Sequence, residues 1–78
     1  MGEEFNIPAL EKGTYQHYKG NMYEVLGVGC HTESNEYYVV YQPIEKKPGI
    51  PEIWLRPYEM FVENVEVDGE LRPRFKKL

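Results

Sequence analysis

Tyr15-Gln16-His17-Tyr18-Lys19-Gly20-Asn21-Met22-Tyr23-Glu24-Val25-Leu26-Gly27-Val28 is the stretch whose reading decides the fold. Tyrosines lie on both sides of Gly20-Asn21, and valines follow it, the mark of two strands joined by a tight turn. Glycine at the first loop position suits a type II′ turn of two residues. That register sets Lys19 opposite Met22, Tyr18 opposite Tyr23, His17 opposite Glu24 and Gln16 opposite Val25. One face then carries Tyr18, Tyr23 and Val25, and the other carries Lys19, His17 and Glu24, so apolar and polar sets separate. Leu26 and Val28 fall out of phase. Gly27, with Gly29 beyond it, allows a bend or bulge that would turn the strand's apolar side into a second sheet.

Working outward, the polar loop Thr32 to Glu36 leads into Tyr37-Tyr38-Val39-Val40-Tyr41, apolar on both faces as a central strand should be. Pro43 to Glu52 holds three prolines and Gly49, which bars a helix or a central strand and predicts an exposed excursion. Ile53 to Arg56 reads as a short strand. Pro57 suits the first position of one helical or 3-10 turn over residues 57–61. Val62–Val67 and Glu70–Phe75 form a closing hairpin in which two registers compete. A two-residue Asp68-Gly69 turn sets Val65 opposite Arg72, whereas a three-residue loop pairs Val67 with Leu71 and Glu66 with Arg72. The expected architecture is all-β: a small, SH3-like, partly open barrel of five or six short strands. Residues 1–12 read as a loosely ordered lead-in, with Ile7 to Leu10 against the domain edge, and residues 13–78 as one domain.

At 78 residues the chain has room for a single core and none for an enclosed multilayer active site. A formal net charge of −4 excludes a general nucleic-acid or anionic-membrane binder at the level of the whole chain. The charge is uneven, however. Residues 71–78 carry four basic and no acidic side chains, whereas residues 1–70 carry five basic and thirteen acidic ones. Cys30 is the single cysteine, so no internal disulfide can form, and a reducing cytoplasm is the expected compartment. The first residues lack the basic patch and apolar run of a signal peptide, and no apolar run approaches the ~20 residues of a membrane span.

The run Gly13-Thr14-Tyr15-Gln16-His17-Tyr18-Lys19-Gly20, followed by Tyr23 to Val28, resembles a known bacterial family. Val39-Val40-Tyr41, Trp54-Leu55-Arg56-Pro57, Met60-Phe61, Val65 and Pro73-Arg74-Phe75 extend the likeness. The family is the small "domain of unknown function 1653" family, matched from Gly13 to Phe75. The resemblance implies a fold and supplies no activity or catalytic residues. This chain departs from it in a longer, proline-rich Pro43–Glu52 connection and in Cys30, where the family often has a basic residue before His31.

Several constellations could carry chemistry. His17 beside Glu24 could prime a general acid, although a partly exposed cross-strand ion pair is the plainer reading. Cys30 and His31 are neighbours on a strand and point to opposite faces, so Cys30 reads as a small core residue. No metal-ligand spacing or cofactor motif is present in the sequence. Trp54 and Arg56 share a strand face and, with Tyr18 and Tyr41, would form an aromatic wall beside a cation. The plainer alternative makes Trp54 the core centre and Arg56 a clasp on the turn that follows. Arg72, Arg74 and Lys76 alternate along the C-terminal stretch. On one strand they would share a face, either tracking phosphates or protecting a sheet edge.

The reading that follows is a non-catalytic binding module for a nucleic-acid strand or an acidic peptide. Its candidate ligand-binding residues are Trp54, Arg56, Tyr18, Tyr41, His17, His31, Arg72 and Arg74. The alternative is a structural or assembly protein that pairs a strand edge with a partner chain or with itself as a homodimer. A His-dependent enzyme using His17 or His31 ranks behind both.

Overall fold

The computed structural model describes residues 5–78. Seven strands and one helical turn follow in order: β1 (Gly13–His17), β2 (Met22–His31), β3 (Glu36–Pro43), β4 (Trp54–Pro57), α1 (Tyr58–Val62), β5 (Asn64–Val67), β6 (Glu70–Pro73) and β7 (Phe75–Lys77). Five of them make one antiparallel sheet in the order β4-β3-β2-β1-β7, and β5 and β6 form a separate hairpin. The small all-β fold with a short helical turn is as expected, and the barrel is left unclosed. Among the described residues no helix is long and apolar enough to cross a membrane.

The β1–β2 register differs from the expected one. Tyr15, not Tyr18, lies opposite Tyr23, and Gln16 pairs with Met22. The turn therefore takes in Tyr18 to Asn21, closed by hydrogen bonds from His17 N–H to the Asn21 carbonyl and from Gly20 N–H to the His17 carbonyl, both 2.8 Å. The shift is an odd number of residues, which exchanges the two faces of β1. Tyr15 goes into the core at 5% exposure, and Tyr18 stays outside at 38%. His17 and Glu24 consequently do not pair. Glu24 lies opposite Thr14 and accepts a hydrogen bond from its hydroxyl at 3.2 Å.

The bulge expected at Gly27 is present, and the expected turn into a second sheet is not. The β2–β3 register slips between Val25 and Gly27, leaving Leu26 outside and bringing Val28 opposite Val39. The bulge rephases the strand without moving it to another sheet, because β2 stays paired with β3 as far as His31 opposite Glu36. Pro57 is still paired with Tyr38 at the end of β4, with ψ at 136°, so α1 begins one residue later than the proline suggested. In the last hairpin the two-residue turn wins. Asp68 and Gly69 both have positive φ, at 51° and 80°, the backbone of a type I′ turn, and Val67 pairs with Glu70. Turn geometry outweighed the better side-chain pairing of the longer loop.

Tyr15, Tyr23, Val25, Val39, Tyr41, Phe61 and Phe75 form the core, with Leu10, Trp54 and Tyr58 against it. Phe61 from α1 stacks on Phe75 from β7, with ring centroids 4.0 Å apart and planes 7° apart. Tyr15 and Tyr41 meet Phe61 edge-on at 5.5 and 5.4 Å. Phe61 is 1% exposed whereas Leu71 is 73% exposed. Phe61→Ala should therefore cost about 3–5 kcal/mol in urea unfolding, and Leu71→Ala should stay within about 0.5 kcal/mol of the parent.

Candidate functional site

His17, Tyr18, Arg56, Arg72, Arg74 and Lys76 lie around Phe75 and the Tyr18–Asn21 turn. β1 ends at His17, whose ring meets Phe75 edge-on at 4.9 Å and lies tilted against Tyr18 at 4.5 Å. The backbone N–H of Lys19 donates to His17 Nδ1 at 3.1 Å, so the ring proton of the neutral imidazole sits on Nε2. Burial, followed by the positive charges of Arg56, Arg74 and Lys19, holds the His17 pKa below the usual histidine value of 6.5.

Arg56, on β4, is half-buried. Its Nε donates to the Tyr41 hydroxyl at 3.2 Å, and its guanidinium lies over the Phe75 ring at 5.5 Å. Tyr41 is 2% exposed, out of reach of a ligand. Arg74 falls in the break between β6 and β7, where Pro73 ends the ladder, so Arg72, Arg74 and Lys76 do not share one strand face. Instead Arg74 clasps the helical turn, with Nε donating to the Met60 carbonyl at 3.0 Å and Nη2 pairing with Glu63. Its main chain is also engaged: Arg74 N–H donates to the Glu63 carbonyl and its own carbonyl accepts from Tyr18 N–H. The clasping role considered for Arg56 thus belongs to Arg74.

Arg72 keeps an outward-facing partner, Glu70, at 3.4 Å, with side-chain exposures of 55% and 72%. Together with Lys76 it lines a concavity of about 480 Å³ whose other walls include His17, Tyr18, Gln16 and Gly20. Lys76 was not among the candidate binding residues. The alternation along 72–76 put it on a face with Arg72 and Arg74; the strand break takes Arg74 out of that set, and the pairing of Gln16 with Lys76 brings Lys76 to His17.

Trp54 lies beyond the turn, against Tyr23 at 5.7 Å and Tyr41 at 6.2 Å, and its indole N–H is taken up by the Pro51 carbonyl at 2.6 Å. It borders the core and does not form its centre. His31 stands apart at the far end of β2. Its Nδ1 accepts from the N–H groups of Glu33 and Ser34 at 3.3 and 3.4 Å, which caps the loop before β3. Cys30 is half-buried with a free thiol, and its Sγ approaches the His31 carbonyl, not the imidazole.

The family described as "Protein of unknown function (DUF1653)" matches residues 13–77. This chain belongs to that family. It is similar to the crystal structure of a DUF1653 protein from Bordetella bronchiseptica, with 32% identity, a TM-score of 0.80, and coverage of 88% of this chain and 87% of that one. No curated protein matches significantly.

Two outcomes follow for this family member. Because the folded pKa of His17 is lowered, its contribution to stability is complete above pH 6.5 and is lost as pH falls through 6.5 towards the folded value. His17→Gln should therefore flatten that part of the profile of unfolding midpoint against pH. Arg74→Ala, which removes a clasp whose side chain is 19% exposed, should destabilise by about 1–3 kcal/mol. Arg72→Ala should cost under about 1 kcal/mol, both changes being read from urea midpoints.

Proposed function

We propose that this chain is a non-catalytic binding module that holds an extended anionic ligand, a nucleic-acid strand, on the shelf formed by His17, Tyr18, Arg72 and Lys76. The observation that carries this reading is the concavity that brings these four residues together at the end of β1. Two of its cations, Arg72 and Lys76, come from a segment without acidic residues after Glu70. Arg56 and Arg74 are committed to Tyr41 and to Glu63 and Met60, and they add positive potential from behind. Arg72 can exchange a solvated partner for a phosphate at little cost, since exposed ion pairs contribute about 0–1 kcal/mol. Tyr18 supplies a ring face on which a base can stack.

The groups within hydrogen-bond reach of His17 Nδ1 and His31 Nδ1 are backbone N–H groups, which hold the rings in place and offer no nucleophile. A small domain with one free thiol suits the reducing cytoplasm, where we place its work. A second reading, edge pairing with another chain, is favoured by β4: it ends the five-stranded sheet, and Leu55 on it is 63% exposed.

Fluorescence anisotropy with labelled single-stranded RNA, single-stranded DNA and acidic peptides at two salt concentrations tests the first reading. Strand binding should weaken as salt rises. Arg72→Ala with Lys76→Ala should weaken it further and reduce the salt slope by about one to two phosphates. Absence of strand binding, or affinity unchanged in the double variant, overturns the reading. Sedimentation at micromolar concentration addresses the second: a dimer that Leu55→Lys dissociates is the expected result, and a monomer removes self-pairing.

A further inference from the structure

On the far side of the Tyr18–Asn21 turn lies a second concavity, about 370 Å³, lined by Met22, Tyr23, Ile44, Ile50 and Trp54 among others. Its apolar walls are left open by the fold, with Met22, Ile44 and Ile50 exposed at 44, 50 and 41%. Polar groups stand at its margin, namely Asn21, Glu45 and Lys47. Trp54 contributes its ring and no free donor, because its N–H is already bonded to Pro51.

Gly20 lines both this groove and the cationic shelf, so the two meet across one residue. Its φ is +110°, and a Cβ built there would touch nothing within 4 Å. Gly20 thus places no side chain between the two sites, and its carbonyl accepts a hydrogen bond from the Gln16 side-chain amide at 3.2 Å. The shelf side offers the Tyr18 ring beside Arg72 and Lys76, and the groove side offers the Trp54 ring in an apolar pocket with hydrogen-bonding groups at the rim.

From this arrangement we infer that the groove is a base-binding subsite. It takes one nucleobase of a single strand whose neighbouring phosphates rest on Arg72 and Lys76. The inference rests on the proposed function and names the part of the ligand that the second site receives. A nucleotide strand matches the paired geometry in its repeat unit, since each unit carries a negative charge on the backbone and a flat ring projecting from it. The Tyr18 and Trp54 rings on the two sides of Gly20 would give successive bases their platforms, and stacking on such faces is indifferent to sequence. The rim groups Asn21, Glu45 and Lys47 can reach the edge of a seated base.

Trp54 is the single tryptophan, so its emission reports on the groove without a label. Intact protein is titrated with a single-stranded oligodeoxynucleotide and with an abasic strand of the same length and charge. The base-bearing strand should bind about tenfold more tightly and quench Trp54 emission, and the abasic strand should bind without quenching. Ile44→Ser with Ile50→Ser, both on the exposed excursion, should shrink the base-dependent advantage. Equal affinities with unchanged Trp54 emission overturn the groove inference and leave the shelf reading standing. Failure of both strands to bind overturns both, as does quenching by an acidic, leucine-bearing peptide when neither strand binds.

Discussion

The stacked pair Phe61 and Phe75 joins two elements that could not stand alone. α1 is five residues long and has no side-chain cap, far short of the length at which a helix persists in water. β7 is a three-residue edge strand. Each is held because the other's ring covers its own, and each ring in turn meets Tyr41 edge-on. The arrangement packs α1 against the sheet through β7, its edge strand, which lies beside β1 from the other end of the chain. It also sets the position of everything that follows residue 57, including the break at Arg74.

The same ring organises the electrostatics. Arg56 lies over the face of Phe75 and His17 against its edge, so a core aromatic places a guanidinium and an imidazole side by side. Cations so close need a way to coexist. Arg74 is paired with Glu63, Arg56 is bonded to Tyr41, and burial with the charges of Arg56, Arg74 and Lys19 lowers the His17 pKa. Arg72 and Lys76 are left facing the concavity, and their local positive potential persists on a chain of net negative charge. A small domain can in this way carry a cationic site without a basic composition, provided the acidic residues lie elsewhere.

Much of the fold was legible because it depended on local chemistry. The bulge at Gly27, the excursion between prolines and the turn at Asp68-Gly69 each rest on residues whose backbone preferences need no distant partner. The first hairpin was not legible in the same way. Tyrosines at both 15 and 18 could each oppose Tyr23, and their odd spacing made the two choices place opposite faces inward. The observed face of β1 packs Tyr15 against Phe61 and His17 against Phe75, and Tyr18 N–H donates to the Arg74 carbonyl, contacts that the sequence around the hairpin does not contain. With the register went the His17–Glu24 pair. The candidate site was legible as a set of residue types and not as a set of partners. Tyr41 entered the core, His31 capped a distant loop, and Arg74 turned away from Arg72 and Lys76 at a strand break to clasp the helical turn.

The amino-acid sequence by itself determined the all-β class, the family, the bulge at Gly27 and the gathering of positive charge after residue 70, since these follow from backbone preferences, motifs and composition read along the chain. The tertiary structure alone decided which face of β1 is buried, that β2 stays within one sheet, and that Arg56 and Arg74 are bonded within the fold whereas Arg72 has only a solvated partner. The reason is physical: side-chain partnerships in a sheet depend on register and on chain breaks. Both are settled by aromatic packing between segments that are dozens of residues apart.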